Sequence, residues 1–137
     1  MSTLVVDASV IIAALVQKDA DGAWAEQEIA NARLAAPHLL PVEVTNNLRR
    51  FVLTGAISED VASLAHDELL AMPFELFSYE HVGARVWSLR QNVRPCDAWY
   101  VALAELLDAP LATLDHRLCR ATGPACAFRV PPERVVP

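Results

Sequence analysis

Two aspartates stand directly after short apolar runs. Thr3-Leu4-Val5-Val6 ends on Asp7, and Leu111-Ala112-Thr113-Leu114 ends on Asp115. A helix-like stretch follows each, so each carboxylate sits where a strand hands over to a helix. That is the carboxyl edge of a sheet, where open α/β folds put their ligands. Two more acids, Glu43 and Asp97, fall in the first turn of expected helices. Four carboxylates brought to one edge would form an all-oxygen site for a hard divalent cation, Mg2+ or Mn2+. Without a cation they would repel one another strongly. The chain's one lysine, Lys18, lies near none of them in sequence. Helix N-termini favour the ionised carboxylate, so the four are expected to be charged and ready to ligate.

Polar neighbours support such a site. Ser9 is two residues past Asp7, Thr113 is two before Asp115, and Asn46 shares a helical face with Glu43. They are candidates to orient the carboxylates. His116 adjoins Asp115, and Arg49, Arg50, Arg94, Arg117 and Arg120 are candidate phosphate contacts. Each residue also has a plain structural role open to it. Asp7 and Asp115 would cap the helices they precede. Asp97 would complement a helix dipole. Ser, Thr and Asn bond to local backbone, and surface arginines are solvated. What favours the site is the combination.

The elements that must position these residues can be read from periodicity and punctuation. Thr3 to Val6 reads as a buried strand, Ser9 to Gln17 as a helix, and Asp21 to Arg33 as a second helix capped by Asp21. Leu34 to Ala36 reads as a strand and turn between the last helix and Pro37. A helix is expected over Leu40 to Thr54, with Pro41 in its first turn and Gly55 as its stop. Ser58 opens another, ending near Met72-Pro73. Phe74 to Phe77 reads as a strand, and Ser78 or Tyr79 starts a helix to about Asn92. Cys96 to Leu107 is the most apolar helix. Its polar Asp97, Tyr100 and Glu105, with Asp108 just beyond, share one face, so the rest is expected to be buried all round. Ala112 to Leu114 and Phe128 to Val130 read as strands, with a short helix from His116 to Ala121. Strands alternating with helices imply a mostly parallel sheet covered on both faces, an α/β/α sandwich.

With 137 residues and 54% hydrophobic content, the chain is expected to form one domain, 1–137, with a sizeable core. No apolar run reaches the ~18 residues that span a bilayer, and Met1-Ser2-Thr3 lacks the basic start of a signal peptide. The expectation is a cytoplasmic protein without a membrane partner. The net charge of −6 argues against unspecific nucleic-acid binding, although cations at an acidic site would reverse the local sign. Arginine supplies ten of the 11 basic residues, which suits bidentate phosphate contacts and equally suits a GC-rich genome. Cys96, Cys119 and Cys126 form no zinc spacing and are expected to be free and mostly buried, with a Cys119–Cys126 bridge left open.

Four segments together resemble the PIN-domain fold and, within it, VapC-type toxins of bacterial toxin–antitoxin pairs. They are Val5-Val6-Asp7-Ala8-Ser9, Val42-Glu43-Val44-Thr45-Asn46-Asn47-Leu48-Arg49-Arg50, Asp97-Ala98-Trp99-Tyr100-Val101-Ala102-Leu103-Ala104, and Leu111-Ala112-Thr113-Leu114-Asp115-His116-Arg117-Leu118. Trp99 departs in detail, standing where a smaller apolar residue is common. The resemblance implies a Mg2+- or Mn2+-dependent endoribonuclease held inactive by a cognate antitoxin. It carries the family's acids onto Asp7, Glu43, Asp97 and Asp115, with Thr113 as accessory. It also implies two users for apolar helix surface on 21–33 and 58–72, a second copy in a homodimer and an antitoxin helix, with Trp24 as the candidate contact. Two rivals stand beside this reading. A receiver- or phosphatase-like phosphoacceptor needs further acids or a lysine, but Ala8 and Ser9 follow Asp7. A non-catalytic interaction module would use its acids only as caps.

Overall fold

The computed structural model describes residues 1–133; the last four residues of the expected 1–137 domain lie outside the described residues. Five strands, β1 (Ser2–Val6), β2 (Ala32–Pro37), β3 (Glu75–Phe77), β4 (Leu111–Ala112) and β5 (Phe128–Arg129), form one sheet in the order β3-β2-β1-β4-β5. Every pairing is parallel; Leu4 lies opposite Leu34, and Val5 opposite Leu111. The apolar runs of the three central strands follow from this. Leu4, Val5, Val6, Leu34, Ala35, Ala36, Leu111 and Ala112 are all buried, as a sheet covered on both faces requires.

The chain steps from β1 outward to β3, then crosses back past β1 to β4 and β5. Right-handed crossovers in opposite directions leave their helices on opposite faces. One layer is α1 (Ala8–Val16), α2 (Ala20–Ala30), α3 (Leu39–Leu53) and α4 (Glu59–Ala71), with α1 touching the other three. The other is α5 (Gly83–Ser88), α6 (Pro95–Leu107) and the short α7 (His116–Cys119), with α6 lying against β1, β2 and β4. The strand order reverses between β1 and β4. Asp7 and Asp115 lie just past the carboxyl ends of those two strands, at the crevice where such folds bind ligands.

Several boundaries differ from the sequence reading. Asp19, not Asp21, caps α2, its carboxylate accepting from the Gly22 N–H at 3.0 Å. Gly22 sets that register, because a Cβ there would lie 2.1 Å from the Gln17 carbonyl oxygen. Arg33 is in β2 opposite Thr3, so sheet pairing overrides the helical reading of its segment. The expected helix from Tyr79 to Asn92 is broken into a 3-10 turn, Tyr79–His81, and α5. At the break Gly83 lies against the Tyr79 ring, which meets Trp99 edge-on with centroids 5.3 Å apart. On α6, Cys96 and Leu106 are exposed, so that helix is not buried all round. The three cysteines are free thiols, but Cys96 is exposed and Cys119 and Cys126 are half-buried. Among the described residues, no helix is long and apolar enough to cross a membrane.

Candidate active site

Asp7 ends β1 and caps α1. Its Oδ1 accepts from the Val10 N–H at 3.2 Å and from the Ser9 hydroxyl at 2.5 Å. The Ser9 oxygen in turn accepts from the Leu114 N–H at 3.1 Å, tying the β1–α1 junction to the segment after β4. Thr113 is fully buried, and its hydroxyl accepts from the Asp115 N–H at 3.0 Å. Asp115 caps α7 through the Arg117 and Leu118 N–H groups at 2.9 and 3.4 Å. Asp7 and Asp115 are therefore caps as well as candidate ligands, and Ser9 and Thr113 sit between them.

Asp97 lies in the first turn of α6, behind Pro95. Glu43 is not in the first turn of α3: the helix starts at Leu39, which puts Glu43 in the second turn. What brings Glu43 to the edge is Tyr100, one turn along α6 from Asp97. The buried Tyr100 hydroxyl donates to Glu43 Oε1 at 2.5 Å and links the two helix layers. Sequence reasoning placed Tyr100 on the polar face but gave it no role; its i+3 spacing from Asp97 is the signal for one. Asn46 is exposed and lines a shallow depression on α3 with Pro41, Val42, Thr45 and Arg49.

The electrostatics separate the acids. Burial pushes the Asp7 carboxyl up to about 6, against the pull of Ser9, Thr113 and the Val10 N–H, and the nearby Asp97 charge adds to the rise. Burial also raises Glu43, opposed by the Tyr100 hydrogen bond and assisted by Asp97. Burial first, then the bond to Glu43 and the charges of Asp7 and Asp97, hold the Tyr100 phenol far above its ordinary value. At Asp7 desolvation therefore outweighs capping, so its carboxylate ionises less readily than a helix N-terminus alone would make it. Asp97 and Asp115 are also not unpaired. Arg94 lies 3.5 Å from Asp97, and Arg117 lies 3.7 Å from Asp115. These four residues line a cleft of about 350 Å3, with Asn92 and Val93 at its edge. Of the other arginines, Arg50 donates to Asn47 and Arg120 reaches toward Glu133, as does His116.

Among the described residues, no three Asp, Glu, His or Cys side chains converge into a ready-made metal cage. The donor set nevertheless suits a hard cation. All four candidates offer carboxylate oxygen, and among the described residues Asp7 and Glu43 have no cationic side chain as partner. Asp7 and Glu43 each feel the charge of Asp97, and the Tyr100 phenol feels all three. A desolvated carboxylate beside a second acid is the environment that an added cation relieves.

The sheet is parallel, its order reverses between β1 and β4, and candidate acids edge both sides of that reversal. The PIN domain family model matches residues 4–124, and the chain belongs to that family. Within it the chain stands with the VapC ribonucleases. It is 40% identical over 134 residues to Ribonuclease VapC1 of Mycobacterium tuberculosis H37Rv, a match that covers 95% of this chain and 98% of that one. The fold is similar to the crystal structure of Mycobacterium tuberculosis VapC20, a sarcin-ricin-loop-cleaving toxin, with a TM-score of 0.66 at 15% identity over 85% of this chain and 93% of that one. It is also similar to VapBC2 from Rickettsia felis, solved bound to a DNA fragment from its promoter, with a TM-score of 0.64 at 12% identity over 93% of this chain and 98% of that one.

Proposed function

We propose that this chain is a divalent-metal-dependent endoribonuclease, the toxin of a toxin–antitoxin pair, with residues 1–137 acting as one PIN-like domain. The carrying observation is the acid edge: Asp7 and Glu43 desolvated and, among the described residues, without a cationic partner, both within reach of the Asp97 charge, with Tyr100 bonded to Glu43 and Asp115 bonded to Thr113. Asp7, Glu43, Asp97 and Asp115 would hold Mg2+ or Mn2+, which supplies Lewis-acid chemistry at the phosphodiester when bound. The chain's own residues do the positioning. Ser9 and the Val10 N–H fix the Asp7 carboxylate, and Tyr100 fixes Glu43. Arg94 and Arg117 stand on the cleft wall, where a phosphate oxygen would find a guanidinium fork. RNA is the substrate class, and the family membership supports it.

The antitoxin reading rests on a different surface. A groove of about 440 Å3 runs between α3 and α4, lined by Leu48, Val52, Leu53 and Ala62 and rimmed by Arg49 and Asp67. Leu53, Val61, Leu64 and Leu70 are exposed on these two helices. Such a groove suits an amphipathic helix. Trp24 is a poorer candidate than the sequence suggested, because it is partly buried against the core. A homodimer is expected to draw on the same exposed leucines.

The test is cleavage of a labelled RNA by purified protein with Mn2+, Mg2+ or EDTA. The expected result is internal cuts that vanish with EDTA and in Asp97→Asn. Cleavage unaffected by EDTA would reject the metal assignment, and no cleavage of any RNA class would reject the nuclease.

A further inference from the structure

The chain has three tryptophans. Trp24 and Trp99 are packed against the core, whereas Trp87 is 66% exposed. A lone exposed aromatic is unremarkable. Trp87 is not alone. The Arg90 guanidinium lies over its ring, 4.2 Å from the centroid, and also donates to the Trp87 carbonyl at 2.9 Å. The cation covers one side of the indole, and the ring remains mostly open to solvent.

The backbone beneath this pair is well fixed. Leu89 and Val93 are buried, and the Leu89 carbonyl accepts from the Asn92 and Val93 N–H groups at 3.1 and 3.0 Å. The same short segment leads into the acid cleft. Asn92 and Val93 are on its wall, followed by Arg94 and Asp97. Arg90 is two residues from Asn92, which is at most about 7 Å of backbone.

We propose that Trp87 and Arg90 form a stacking platform that takes one unpaired base of the RNA whose backbone enters the acid cleft. This rests on the ribonuclease reading above. Aromatic side chains backed by arginine bind single strands of any sequence, because every base has a π-face. Charge decides between nucleic acid and protein as occupant. The chain is net −6, yet Arg90, Arg94 and Arg117 gather along this segment and the cleft, where they suit a polyanion. The acids ask for a cation and the arginines for phosphate, so the strand would lie between them with a base turned onto Trp87.

The experiment measures binding of a fluorescein-labelled single-stranded RNA to the full chain in EDTA, by anisotropy, for wild type, Trp87→Ala and Trp87→Phe. Parallel probes are a duplex of the same sequence and a strand with abasic riboses. Stacking contributions of this kind correspond to a loss of about five- to a hundredfold in affinity. Trp87→Ala is expected to lose that much for the single strand, while Trp87→Phe loses little. The duplex and the abasic strand should be insensitive to residue 87. Because Trp87 is exposed, the thermal midpoint should not move, and with Mn2+ the alanine variant should show raised KM with kcat nearly unchanged. Wild-type-like RNA binding by Trp87→Ala overturns the platform while leaving the nuclease intact. So does a Trp87→Ala variant that changes oligomeric mass but not RNA affinity, since Trp87 would then be a protein contact. A wild type that neither binds nor cleaves RNA rejects the ribonuclease reading and this inference with it.

Discussion

The two ends of α6 treat carboxylates in opposite ways. At the N-terminal end, Asp97 and Tyr100 face Asp7 and Glu43, two acids that burial makes reluctant to ionise. Eight residues on, about 12 Å along the same helix, Glu105 is gripped by Arg85 through Nε at 2.7 Å and through a second nitrogen at 3.1 Å. Glu105 also accepts from the Ala125 N–H at 2.8 Å, and Arg85 donates to the Gly123 carbonyl at 2.9 Å. Burial tends to raise Glu105, but Arg85 and Ala125 together hold it below its ordinary value. One end is a completed clasp that pins the 123–125 loop. The other is left electrostatically incomplete. Unfinished compensation, rather than acidity, distinguishes a site from a strut.

The largest expected effect comes from breaking the incomplete end. Asp97→Asn should cut RNA cleavage by about 10²–10³, the scale of losing one oriented charge-stabilising group. Its metal-free melting temperature should match or exceed wild type. Saturating Mn2+ at a hundred times its Kd should stabilise the wild type by about 2.7 kcal/mol, and the variant by much less. A calorimetric titration and a gel assay read both.

The next effect sharpens the contrast through pH. The Asp7 pKa is raised in the fold from 3.8 to about 6. Its contribution to stability is therefore fully present below the unfolded value and lost as pH rises through the folded one. Metal-free wild type should lose up to about 3 kcal/mol relative to Asp7→Asn over that window. Glu105 has the opposite sign. Its contribution is present above its ordinary 4.5 and lost as pH falls through the lowered folded value. Urea midpoints for wild type, Asp7→Asn and Glu105→Gln across pH would show the two slopes, and equal slopes would erase the distinction.

Breaking the clasp should cost stability without touching chemistry. Glu105→Gln is expected to lose about 1–2 kcal/mol, allowing for the partial exposure of Arg85. Cleavage per folded molecule should be unchanged. The smallest effect is expected from Tyr100→Phe, which removes the bond to Glu43. About 1 kcal/mol and a cleavage loss smaller than that of Glu43→Gln would mark Tyr100 as a positioning residue. Equal cleavage losses would place it nearer the reaction.

The parts of this site that local sequence carries were legible. Asp7 follows an apolar run that the fold buries as β1, and Ser58 caps α4 as its spacing implies; before Asp115 only Leu111 and Ala112 are strand, and Leu114, expected at the strand's end, lies past it half-buried. The parts set by distant contacts were not. Lys18-Asp19-Ala20-Asp21 offers two acids as a cap, and the choice of Asp19 goes with the tight fit of Gly22 against Gln17. Arg33 reads as helical until β1 is placed beside it. Tyr79, beside the break after His81, meets the distant Trp99, and Glu43 is bonded by Tyr100, 57 positions away. The arginine partners of Asp97 and Asp115 were in plain view, at i−3 and i+2, but were read only as phosphate contacts.

The sheet ends in very short strands: β3 has three residues and β5 two. A strand from another molecule laid against either edge would gain only a few ladder hydrogen bonds, too few to order it. Growth of the sheet from chain to chain is thereby suppressed, even though its centre is a continuous apolar run. A second polypeptide would then be met by side chains rather than by an added strand, and the exposed leucines of α3 and α4 lie on helix surfaces. Those surfaces can change residue by residue without disturbing the backbone, so contacts made there can alter while the acid edge keeps its geometry.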